Sequence, residues 1–116
     1  MKPHFRLEVW KRSMDFVTRI YRLTGQFPNS EKFGLVSQMQ RVAVSIPANI
    51  AEGAARSSKN EFKQFLSIAQ GSTAELETLL IIAKNLGYAK NNDAGSLLNE
   101  LDGISKMIIG LRKETK

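Results

Sequence analysis

Between Phe62 and Leu86, apolar and small side chains recur at a helical spacing. Phe62, Phe65, Leu66, Ala69, Thr73, Leu76, Leu80, Ala83 and Leu86 fall on one side of a 3.6-residue period. A seam held over that length predicts one continuous helix, about Lys59 to Leu86, with one face buried against other helices. Ile68, Leu79 and Ile82 add an apolar edge beside the seam. Ser58 and Glu61 have the spacing of a capping box at its start. The hydroxyl would accept from the first turn and the carboxylate would reach back.

Three further segments carry the same period. The first runs from about Val9 to Thr24 and ends at Gly25 and Pro28. The second runs from about Glu31 to Ala55, with Ser30 as its N-cap. The fourth runs from about Asp93 to Arg112, on a seam of Ala94, Leu97, Leu98, Leu101, Ile104, Ile108 and Leu111. Gly87, between the third and fourth, suits a left-handed C′ position. No strand-like alternation competes. The expectation is an all-α, up-and-down antiparallel four-helix bundle, residues 1–116 forming a single domain with 1–7 loosely ordered. A chain of 116 residues, 42% apolar, can bury such a core unaided.

Pro47 lies inside the second helix. It removes the bond to the Ala43 carbonyl and clashes with it, at a usual cost of about 3 kcal/mol. The second helix is therefore expected to bend near Pro47, or to be two helices meeting there, with Ser45 or Asn49 bonding the freed backbone. Around the proline, Gln38, Arg41, Ser45, Asn49, Glu52 and Arg56 form one polar stripe. It has two readings. Arg41 and Glu52 pair with polar groups on neighbouring helices, Glu75 being the candidate for Arg41; or Arg41 and Arg56 line a groove that meets phosphate.

Two helices carry more apolar surface than one core uses. The first is apolar over about half its circumference, through Val9, Trp10, Met14, Phe16, Val17, Ile20, Tyr21 and Leu23. The second adds Val36, Ala43, Val44, Pro47 and Ala51 on a face apart from its core seam. Surplus apolar faces imply a homo-oligomer.

The net charge is +6, and its distribution says more than its size. Residues 1–63 hold 11 basic and 5 acidic side chains, whereas 64–116 hold 6 of each. A basic half attracts phosphate polymers. Lys11, Arg12, Arg19 and Arg22 share one face of the first helix, where Glu8 and Asp15 are spaced to pair with Arg12 and Arg19. With Arg56, Lys59 and Lys63 they are candidate nucleic-acid contacts, a cationic rim once subunits assemble. No aromatic platform interleaves them, so base stacking is not indicated.

Other chemistries find no support. Without cysteine there are no disulfides or thiolate sites. The only histidine is His4, and neither a Glu-x-x-His pair, a glycine-rich phosphate loop nor a nucleophile elbow occurs. No enzyme, metal or cofactor is expected. The N-terminus lacks an apolar signal core and no window spans a membrane, which predicts a cytoplasmic protein with no membrane partner. Two functions remain: a nucleic-acid-associated homo-oligomer, and a protein-interaction or structural module such as an accessory subunit for a polypeptide.

The segments Val9-Trp10-Lys11, Phe33 to Gln38, Arg41 to Gly53, Phe62 to Leu66 and Gly71 to Glu77 resemble the bacterial four-helix-bundle family of 23S ribosomal RNA intervening-sequence proteins. The core Ser45-Ile-Pro-x-Asn49-Ile-Ala-Glu-Gly53 is the specific part. The resemblance implies a short up-and-down bundle that closes into a homopentamer and associates with RNA or DNA. It is similar also to the accessory variability protein of diversity-generating retroelements, a basic pentameric barrel. It implies no catalytic residue. Arg41, Ser45, Asn49, Glu52 and Glu75 carry over as a signature polar network. Gly103 and Gly110 depart from the family pattern in the fourth helix, each at a cost of about 1 kcal/mol unless close packing requires it.

Overall fold

The computed structural model describes residues 2–116; Met1 and the Arg6 side chain lie outside the described residues. Four helices follow in order: α1 Glu8–Thr24, α2 Leu35–Ala54, α3 Lys59–Asn85 and α4 Asn91–Glu114. Each packs on its chain neighbours and α1 also meets α4, while α1 and α3, like α2 and α4, stand on diagonals. The bridges fix the directions. Arg12 reaches Glu100 and Arg19 reaches Ser96, so α1 and α4 run antiparallel. Ser45 bonds Ser72 while Gly53 abuts Phe62 and Phe65, so α2 and α3 do too. The bundle measures 43 × 23 × 22 Å.

The core is a column of fully buried Phe16, Ile20, Met39, Ile46, Ile50, Leu66, Leu76, Leu80, Leu101, Ile104 and Ile108. Those of α1, α3 and α4 fall on the apolar faces read from the sequence, and Met39, Ile46 and Ile50 keep a helical spacing of seven and four along α2. Ser58 Oγ accepts from the Glu61 backbone amide at 3.2 Å, forming half of the expected box. The Glu61 carboxylate turns instead toward Arg56, 3.8 Å away. Gly87 takes φ 79°, the left-handed turn that lets the chain leave α3.

Three expectations need correction. Ser30 does not cap α2: it lies in a 3-10 turn, Asn29–Glu31, and α2 begins only at Leu35. The connection must cover the bundle end, where Phe27 is buried against Tyr88. Glu31 accepts from Tyr88 Oη (3.1 Å) and, weakly, from the Leu35 amide (3.4 Å), taking over the capping role. Second, α2 passes through Pro47 as one helix, so two helices meeting at a bend are excluded. Ser45 Oγ lies 2.6 Å from the Val42 carbonyl and Asn49 Nδ2 donates to Ser45 O, so neither takes the Ala43 carbonyl.

Third, Ala43 and Pro47 belong to the buried side of α2, and Val36 and Ala51 are half-buried. Of the extra α2 face only Val44 is substantially exposed, at 41%. Before α1, Pro3–Arg6 forms a 3-10 turn, with the His4 and Phe5 rings packed on Trp10 at 4.9 and 5.2 Å. Among the described residues no helix is long and apolar enough to cross a membrane.

Candidate nucleic-acid interface

The basic residues of α1 divide by what they touch. Arg12 Nη2 lies 2.8 Å from Glu100 Oε1, its Nη1 lies 3.2 Å from Met107 Sδ, and Gly103 leaves room for its head. Arg19 donates to Ser96 Oγ at 3.0 Å. The expected pairs with Glu8 and Asp15 do not form, because both arginines turn inward to clamp α4. Lys11 and Arg22 are exposed and make no ion pair among the described residues. Arg22 and Arg19 flank a cleft of about 300 Å³ with Gln26, Asp93 and Ser96.

Arg56 is likewise engaged. It pairs with Glu52 at 3.0 Å, approaches Glu61 and lies over the Phe65 ring at 5.2 Å. One α-helical turn explains the Glu52 contact. Lys59 is exposed and Lys63 half-buried, one turn apart on α3, and neither forms an ion pair among the described residues.

The polar stripe lies along the outer edge of the α2–α3 seam. Ser45 donates across it to Ser72 (2.7 Å), whose hydroxyl donates to the Ile68 carbonyl (3.2 Å). Asn49 is half-buried and bonded within α2. Arg41 and Glu75 stand at nearly the same level, given the Ser45–Ser72 register, but both are exposed and make no ion pair among the described residues. In solvent such a pair contributes about 1 kcal/mol at most, too little to hold two long side chains. The stripe is thus a packing seam at Ser45 and Asn49, with Arg41, Glu52 and Arg56 as charged ends in water.

Apolar residues flank it. On α1, Met14 and Tyr21 are 45% and 46% exposed and continue the half-buried line of Trp10 and Val17. Gln40 donates to Thr24 Oγ1 at 3.0 Å, placing that side of α2 against α1, and Val44 follows one turn later. On α3, Ile68 and Ile82 are exposed; Leu86, expected in the buried seam, is the C-cap residue and is exposed, whereas Leu79, expected at the outer edge, is in the core. Sequence reasoning missed one grouping. Arg112, Lys113 and Lys116 meet Lys63 at a cleft between α3 and α4. The signal was the run Arg112-Lys-x-x-Lys116, hidden by the zero net charge of its half of the chain. No cluster of three metal-ligating side chains occurs among the described residues.

The sequence model of the 23S rRNA-intervening sequence protein family matches residues 6–110. A protein of unknown function from the S23 ribosomal protein family of Bacteroides thetaiotaomicron VPI-5482, solved as a crystal structure, has a similar fold. Its TM-score is 0.85 at 30% identity, over 97% of this chain and 99% of that one. No curated protein matches significantly.

Proposed function

The chain belongs to the 23S rRNA-intervening sequence protein family, and on that footing we propose that it is a non-enzymatic cytoplasmic homo-oligomer, a pentamer, that associates with RNA or DNA. The observation that carries the nucleic-acid reading is a set of cations at the start of α3 and the end of α4, Lys59, Lys63, Arg112 and Lys113, without ion-pair partners among the described residues. Repeated around a ring, they add up to a positive rim. Two unlike apolar edges support the ring. Met14, Tyr21 and Val44 lie on the α1–α2 side, and Ile68 and Ile82 on α3 with Leu86 at its C-cap. Unlike patches meet head to tail, and such contacts give a ring when the rotation from subunit to subunit closes.

Fluorescence anisotropy with structured RNA and with duplex DNA, at two salt concentrations, tests the binding. Steep loss of affinity with salt is expected, and no binding at low salt overturns the reading. Light scattering tests the assembly, which a monomer at micromolar concentration would refute. Phe33, 91% exposed, favours a second reading in which the protein is an accessory subunit for a polypeptide. A protein partner that stays bound after nuclease treatment would establish it.

A further inference from the structure

We infer that the sugar–phosphate backbone of a nucleic acid seats in the cleft between the start of α3 and the end of α4, and not on the basic face of α1. The inference rests on the nucleic-acid reading above and assigns it a site. The cleft has a volume of about 390 Å³ and is lined by Lys63, Gln70, Ile109, Arg112, Lys113 and Lys116 among others. Its lining contains four cationic side chains and no acid. None of the four is in an ion pair among the described residues.

Basic residues at a helix C-terminus are favoured by the helix dipole alone, which accounts for Arg112 and Lys113 being there. It does not account for Lys63, which comes from the opposite end of a different helix and meets them across the groove. Nor does it account for the sorting within the last turn of α4. Arg112 and Lys113 line the α3 side, while Glu114 lines a separate hollow beside Glu8 of α1 and the Leu7 that precedes it. Lys59, one turn before Lys63, extends the positive edge outward.

The α1 face compares poorly. Arg12 and Arg19 are bonded to α4, and Asp93 lines the Arg19–Arg22 cleft. Along the α3–α4 groove the positive character stops beyond Gln70, where Glu77 and Asp102 line the next hollow. The positive stretch from Lys63 to Gln70 is therefore about 10 Å long, seven residues of helix. Dispersed cations on two helices, with no aromatic ring in the lining, suit phosphates and not bases. Binding there is sequence-independent.

The test is a salt series of binding to duplex RNA and duplex DNA, for the full chain and three variants. In Arg112→Ala/Lys113→Ala the slope of log affinity against log salt should flatten by about 1–2, one phosphate contact per charge removed. Lys63→Ala, on the other helix, should flatten it by about 1. Lys11→Ala/Arg22→Ala should keep the original slope. If the α1 variant flattens the slope and the cleft variants do not, this assignment is overturned and the nucleic-acid reading stands. If the unaltered chain binds neither duplex at low salt, that reading falls, and the assignment with it.

Discussion

The α2–α3 seam closes on small residues, whereas the α1–α4 seam is spanned by long ones. At the first, Gly53 lies so close to α3 that a Cβ there would be 2.7 Å from Phe65 Cβ and 3.0 Å from Phe62 Cδ1. Ser45 and Ser72 bond directly a few turns away. At the second, Arg12 and Arg19 extend whole side chains to reach Glu100 and Ser96. Backbone proximity in the first case fixes register by shape. In the second, flexible side chains bridge a wider gap and tolerate adjustment. The signature Arg41 to Gly53 therefore coincides with the seam that has least room to vary.

The largest expected effect follows from that contrast. Gly53→Ala should destabilise the fold by about 1–3 kcal/mol, because the obstructing Phe65 Cβ cannot swing away and the helices must separate. At Gly110 in α4 an added methyl group would meet nothing within 4 Å, so Gly110→Ala should stabilise by up to about 1 kcal/mol. Urea denaturation of both variants checks the pair. Equal effects would erase the distinction between a close approach and an idle glycine.

Arg12→Ala probes the bridged seam and should cost less. The Arg12–Glu100 pair is 39% and 28% exposed, so solvent screens it and about 1 kcal/mol or less is at stake. A double-mutant cycle with Glu100→Ala isolates the coupling. A coupling well above that range would mean that the α1–α4 seam is as exacting as the other.

The same contrast explains what was legible in the sequence. Helix number, order and core positions follow from period alone, and Ile46, Leu76 and Ile104 are buried where that period puts them. Local spacing failed where a distant partner displaced a near one. Glu8 and Asp15 lie one turn from Arg12 and Arg19, yet Glu100 and Ser96 take those arginines. Ser30 resembles a cap, but Phe27 and Glu31 answer to Tyr88, 57 residues beyond Glu31 in the chain. The cleft at Lys63 and Arg112 joins two helix ends that no linear window contains.

Tyr88 offers the smallest effect and a clean sign. Its hydroxyl donates to Glu31 Oε2, tying the α3–α4 turn to the α1–α2 connection. The hydrogen bond to Glu31 foremost, then desolvation and the nearby carboxylate charge, hold the phenol pKa above its ordinary value of 10.0. A raised phenol pKa means that the neutral, bonded form is preferred in the folded chain. Its contribution is complete below pH 10 and disappears as pH rises through the higher folded value. Tyr88→Phe should therefore be less stable than the parent near pH 8, and the gap should narrow above about pH 10. Urea midpoints across roughly pH 8–11 measure it. Other titrating groups act on both chains, so the difference between the two curves isolates this hydroxyl. Equal midpoints for the two proteins near pH 8 would show that the ring's packing on Phe27, which the variant keeps, and not the bond to Glu31, holds this end of the bundle closed.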